Sequence, residues 1–239
     1  MKPYVVCHML TSIDGKIDGS FFSAPECAPA LHKFAEVRES YRCTAILYGT
    51  TTLEGGYSGG VIDALPKAGK IYPREDYVAE SSAESYIVSL DPQGTHAFDS
   101  NFIKKPNRPS AHIIEVLTEQ ATDDYVAYLR SYDISYIFAG KNRFDCADML
   151  EKLNRLFGIK RLMISGGGIT NLSFLQENLI DELSLVIAPV ADGGRGASIF
   201  DRADFLPYND AVPFELINAQ NSDAGTLWLR YCKKGCAGA

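Results

Sequence analysis

The stretch that most constrains the fold runs from Ile159 to Arg195 and centres on Ser165-Gly166-Gly167-Gly168. Lys160 to Ile164, just before it, is an apolar run of strand length, and Ile169 to Leu175, just after it, reads as the first turns of a helix. A strand, a glycine run and a helix start bring bare backbone up to an anion. Glycine has no Cβ to block the approach, and the helix start offers unpaired N–H groups with a partial positive charge. The run lacks the lysine and Ser/Thr of a Walker A loop. It also sits late in the chain, unlike the first-turn fingerprint of a standard dinucleotide fold. Taken alone, it also fits a tight turn.

Strand and helix patterns alternate around this point. Strands are predicted at Tyr4 to Leu10, Thr44 to Tyr48, Ser85 to Leu90, Ala111 to Leu117, Ser135 to Ala139, Lys160 to Ile164 and Glu182 to Ala188. Helices are predicted at Ala28 to Tyr41, Asp123 to Ser131, Asp145 to Phe157 and Ile169 to Glu177, with a short one after Gly49. Pro213 to Gln220 and Thr226 to Cys232 read as a closing hairpin joined by Asn221 to Gly225. Residues 55–82 are irregular and glycine-rich, the kind of long loop that carries function in a compact domain. The pattern predicts an α/β fold, with a mainly parallel sheet flanked by helices and an antiparallel hairpin at one edge. We expect one domain over residues 1–239.

A chain of 239 residues buries a sizeable core without disulfides. The six cysteines are scattered, with Cys232 and Cys236 lacking a second pair to complete a zinc site, so reduced structural thiols are expected. The net charge of −7 and the absence of a basic cluster argue against nucleic acid. No apolar run approaches the length of a membrane span, and the N-terminus has no signal-peptide core, so a cytosolic chain is expected.

Two further loops join the glycine run. Ser12-Ile13-Asp14-Gly15-Lys16 follows the first strand and Gly49-Thr50-Thr51-Thr52 the second, where plain helix capping is the simpler reading. Loops at the C-terminal ends of parallel strands converge on one rim. No nucleophilic triad, paired catalytic carboxylates or metal-binding His/Cys spacing is evident, so no metal is expected. Of the four histidines, His8 stands out, in the first strand two residues before the first loop.

The blocks Met9-Leu10-Thr11-Ser12-Ile13-Asp14-Gly15-Lys16, Ala45-Ile46-Leu47-Tyr48-Gly49-Thr50-Thr51-Thr52, and Ser165-Gly166-Gly167-Gly168 with Asn178 to Leu183 and Ala188-Pro189 occur in that order. Together they resemble the reductase domain of the bifunctional deaminase/reductase of riboflavin biosynthesis, in a stand-alone form. The resemblance implies a three-layer dihydrofolate-reductase-like fold, a homodimer, and NADPH-dependent reduction of the ribosyl group of an aminopyrimidine phosphate. It implies that Gly166, Gly167, Gly168, Ile169 and Thr170 hold the cofactor pyrophosphate and that Leu10 and Thr52 contact the cofactor. Ser89, or Lys141 with Arg143, would meet a 2′-phosphate. Ser20, Arg38 and Ser165 fall at or near substrate positions, and Asp14 or His8 would orient or protonate the substrate. Ser165 stands where the riboflavin enzymes commonly carry glutamate, His8 where many carry lysine, and Leu53 to Gly60 replaces their Asp-Asp-Pro segment. These departures leave open another pterin, pyrimidine, carbonyl or imine substrate, or nucleotide binding without turnover.

Overall fold

The computed structural model describes residues 1–235 apart from 63, 80–82, 107 and 208–209, so Cys236 and the end of the predicted 55–82 loop lie outside the described residues. Contacts divide the chain into two interleaved units, one of residues 1–3 and 44–162, the other of residues 4–43 and 163–239. Among the described residues no helix is long and apolar enough to cross a membrane.

The first unit holds β2 (Ala45–Tyr48), β3 (Tyr86–Leu90), β4 (Phe102–Ile103), β5 (Ala111–Leu117) and β6 (Ser135–Phe138), with α2 (Thr50–Glu54), α3 (Asp123–Ser131) and α4 (Cys146–Phe157). β2, β3, β5 and β6 pair in parallel in that order, and the short β4 runs antiparallel to the start of β5. All seven residues of β5 are buried, as parallel strands covered on both faces require. On one face, Ile87, Ala111, Ile113 and Leu117 pack with Tyr125, Val126 and Leu129 of α3. Each fully buried Val, Leu or Ile side chain among them contributes roughly 1.5–3 kcal/mol. Thr122 caps α3 by accepting from the Tyr125 N–H, and Asp145 caps α4 by accepting from the Asp148 N–H. Gly158, at φ +66, ends α4 in the left-handed conformation that glycine adopts without strain.

The second unit holds β1 (Tyr4–Thr11), α1 (Ala28–Ser40), α5 (Gly168–Gln176), β8 (Glu182–Ile187), β9 (Phe214–Asn221) and β10 (Leu227–Lys233). β7 (Arg161–Ile164) leads into it. β1 pairs in parallel with β8, and β8 pairs antiparallel with β10, which forms the closing hairpin with β9. α1 covers this sheet through Ala30 and Phe34, packed with Leu10, Val186, Ala188 and Trp228. The predicted elements thus stand, most bounds shifting by a residue. The two-residue β4 and the short 3-10 turns Ser20–Ser23 and Pro25–Cys27 were not foreseen.

One buried charge ties this unit together. Glu182, 2% exposed, accepts from Arg230 Nε at 2.7 Å, from the Tyr4 hydroxyl at 3.0 Å and from the Tyr41 hydroxyl. Burial pushes its pKa up, but the bonds from Arg230, Tyr41 and Tyr4 outweigh it and leave the carboxyl below the usual 4.5. A lowered folded-state value means that this stabilisation is present above pH 4.5 and is lost as pH falls through the folded value. Removing one partner strands the others, so Glu182→Ala should cost about 3–5 kcal/mol in urea unfolding at pH 7. A loss under about 1 kcal/mol, the range of an exposed pair, would show that the network is dispensable.

Candidate active site

The glycines of the run differ in what the fold asks of them. Gly166 takes φ +91, which L side chains rarely adopt, and its bond to Gly167 is cis. At Gly168 an added Cβ would sit 2.4 Å from the Ser198 carbonyl oxygen and 2.9 Å from the Asp201 N–H nitrogen, so close backbone approach demands glycine there. Gly167 has φ −74, and an added Cβ would meet nothing within 4 Å. It is the N-cap of α5, and no side chain caps the helix start there. Gly167 thus leaves open space beside helix N–H groups, a surface suited to an anion. Ser165 and Thr170 are half-buried beside it, and Ile169 is exposed.

The segment behind the glycines is bound to the loop after β1. The Asn171 amide, fully buried, donates to the Ile199 carbonyl at 2.8 Å. The Ile17 N–H donates to the Ala197 carbonyl at 2.8 Å, and the Ile13 N–H to the Val190 carbonyl at 2.8 Å. Asp14 accepts from the Ser12 hydroxyl at 2.6 Å and from the N–H groups of Asp192 and Gly193 at 2.9 and 3.0 Å. Asp192 answers by accepting from the Phe21 N–H at 2.9 Å, the Gly194 N–H at 3.0 Å and the Ser20 hydroxyl at 3.2 Å. The Ser12 bond, followed by those two amides, holds the Asp14 carboxyl well below the usual carboxylate range. Asp14 is therefore an ionised loop clamp and no proton donor at neutral pH. Asp192 was missed by sequence reasoning, although Asp192-Gly193-Gly194 after Ala188-Pro189 is a turn signal.

His8 does not reach the site chemistry expected of it. It is fully buried and stacks on Phe34 with centroids 4.3 Å apart. Its Nε2–H donates to the Phe34 carbonyl at 3.0 Å, and its Nδ1 accepts from the Ser184 hydroxyl at 2.9 Å, which in turn accepts from Trp228 Nε1 at 3.0 Å. Burial pushes the imidazole down to about 4, so it stays neutral and pins α1 to the sheet. Leu10 points into the core beside Phe21 and Val186, which leaves its main chain as the part that can meet a ligand. Arg38 lies in the last turn of α1, its side chain 12% exposed and 4.0 Å from Glu39. Ser20 is exposed and held by Asp192.

In the other unit, Thr52 lies half-buried in α2, whose Thr50 hydroxyl donates to the Leu90 carbonyl at 2.9 Å. Ser89 is fully buried, its hydroxyl 3.0 Å from His96 Nδ1, which removes it as a surface contact for a 2′-phosphate. Lys141 and Arg143 are exposed on the loop after β6.

The RibD C-terminal domain model matches residues 3–227. A 2,5-diamino-6-ribosylamino-4(3H)-pyrimidinone 5′-phosphate reductase from Methanothermobacter thermautotrophicus is 29% identical over 224 residues, covering 90% of this chain and 92% of the relative. Among solved structures, a pyrimidine reductase-like protein from Corynebacterium diphtheriae superposes with a TM-score of 0.69 at 18% identity, over 97% of this chain and 92% of that one. The Saccharomyces cerevisiae riboflavin biosynthesis reductase Rib7 does so with a TM-score of 0.61 at 15% identity, over 97% and 90%. These likenesses support the α/β fold, with its mainly parallel sheet and closing antiparallel hairpin, read from the sequence. Through the match across nearly its whole length, the chain belongs to the RibD C-terminal domain family.

Proposed function

We propose that the chain is an NADPH-dependent reductase of a pyrimidine-ribosyl phosphate, built as one domain over residues 1–239 and acting in the cytosol as a homodimer. The observation that carries this reading is Gly167. Neither its φ nor its packing calls for glycine, yet the space at its α-carbon is open at the start of α5. That fits an anionic pyrophosphate held by Gly166, Gly167, Gly168, Ile169 and Thr170. The main chain at Leu10, in the same unit, would flank the rest of the cofactor. When bound, the nicotinamide supplies the hydride that reduces the ribosyl carbon.

The protein's own part is position and electrostatics. Clamped by Asp192 and Gly193, Asp14 fixes the loop that carries Ser20, while Arg38 supplies a cation suited to the substrate phosphate. With His8 sealed in the core and Asp14 ionised, the proton that balances hydride transfer comes from solvent. A second reading rests on Ser165 and on Leu53 to Gly60, which depart from the riboflavin pattern: the same hydride chemistry on another pterin, pyrimidine, carbonyl or imine compound.

Gly167→Val should fold with an unchanged Tm and lose at least about 100-fold in NADPH affinity by calorimetry, a bulky group filling space the pyrophosphate needs. Unchanged affinity would move the cofactor elsewhere. Asp14→Ala should raise KM for the pyrimidine substrate by roughly tenfold, the scale of one lost positioning contact, and leave the shape of the pH–rate profile between pH 5 and 9 unaltered. Disappearance of an ionisation from that profile would instead make Asp14 a proton donor.

A further inference from the structure

The first unit contains a buried polar cluster that hydride transfer does not use. Asp91, His96 and Glu115 come from the end of β3, the following loop and β5, and their ligand atoms lie within 4.8 Å of one another. His96 Nδ1 is 3.2 Å from Glu115 Oε1, 3.7 Å from Asp91 Oδ2 and 3.0 Å from the Ser89 hydroxyl. We propose that Ser89, Asp91, His96 and Glu115 form a structural site for a divalent ion of zinc type, which locks the end of β3 to β5.

The spacing fits four-coordinate binding. Metal–ligand bonds of about 2.0–2.2 Å in a tetrahedron set ligands roughly 3.3–3.6 Å apart, within the spread seen around Nδ1. The donor set of one imidazole nitrogen with carboxylate and hydroxyl oxygens suits zinc or a neighbouring divalent ion. Hydrogen bonding alone leaves the cluster incomplete. Ser89, Asp91, His96 and Glu115 are all essentially inaccessible to solvent. Even so, Glu115 Oε2 has no hydrogen-bond partner among the described residues. Such an orphan costs about 1–3 kcal/mol. Protonating Glu115 on Oε2 would add a buried donor without an acceptor, whereas a bidentate carboxylate uses that oxygen.

The surroundings also match a metal-bound histidine. With Nδ1 on the ion, the far ring nitrogen Nε2 stands 4.0 Å from Glu54 Oε1, beyond hydrogen-bond reach but near enough for that carboxylate to attract a proton on it. Asp91 is itself oriented by the N–H groups of Gly94, Thr95 and His96 and by the Thr95 hydroxyl. The Tyr125 hydroxyl, 3.4 Å from Glu115 Oε1, steadies the other carboxylate. Two buried carboxyl groups crowd a single imidazole, an excess of acidic groups that a divalent ion would offset.

The test uses the full chain stripped with a chelator and then titrated with Co2+ and, separately, Zn2+. We expect one equivalent of Co2+ to give the visible bands of a tetrahedral nitrogen–oxygen site. One equivalent of Zn2+ should raise Tm by several degrees, and both effects should vanish in Glu115→Gln and His96→Gln. Absence of the bands and of the Zn2+ shift in the unsubstituted chain would overturn the site, whether or not the variants fold. So would a cobalt–thiolate band, which would assign the ion to a cysteine, or effects that persist in either variant.

Discussion

The second unit depends on a close backbone approach at Gly168. Because this residue has no side chain, the start of α5 can press against the carbonyl of Ser198 and the backbone of Asp201. The segment so placed then bonds to the loop after β1 through Ala197 with Ile17 and through Asp192 and Gly193 with Asp14. Asp192 extends the chain of contacts to Ser20 and Phe21. The glycine run and the loop that carries Ser20 are therefore held as one block, in which displacing one piece strains the next. Such rigidity is what a reaction limited by alignment requires.

The ionisable groups follow the same economy. Where a carboxylate is tied to amides and a hydroxyl, as Asp14 is, it is held ionised and becomes a fastener. Where an imidazole is enclosed and both nitrogens are bonded, as in His8, it is held neutral and becomes a core residue. Neither is poised near neutral pH, where acid–base catalysts work best. Glu115 differs: burial pushes its carboxyl up to about 7, opposed by the bond from His96. It lies in a strand interior, where its charge state bears on the stability of the β3–β5 junction.

Much of this fold was legible because period and punctuation carry it. The apolar runs of β1, β5 and β8, the capped α3 and α4 and the Asn221 to Gly225 turn each announce themselves locally. The two-residue β4 has too short a pattern to be seen. The glycine run was found, but the sequence treats Gly166, Gly167 and Gly168 alike. Only the backbone geometry separates a glycine kept for φ, one kept for packing, and one left open. His8 was misread because alternation shows that a residue lies in a strand, not whether its polar atoms find partners inside. Asp14 was found, but the two amides it clamps lie 178 and 179 residues away, so its role as a clamp could not be read locally. Asp91, His96 and Glu115 come together through strand pairing alone, with no sequence spacing to mark them.

The central claim is that the open glycine backbone binds a nicotinamide cofactor for hydride transfer to a pyrimidine-ribosyl phosphate. Its most direct test is a single-turnover reaction of the purified chain with NADPH deuterated at the transferable position and 2,5-diamino-6-ribosylamino-4(3H)-pyrimidinone 5′-phosphate. Absorbance of the reduced nicotinamide and the product mass would be followed together. The account predicts substrate-dependent loss of that absorbance, with one deuterium in each ribityl product. Bound NADPH whose absorbance is unchanged by the substrate, or a product without deuterium, would contradict it.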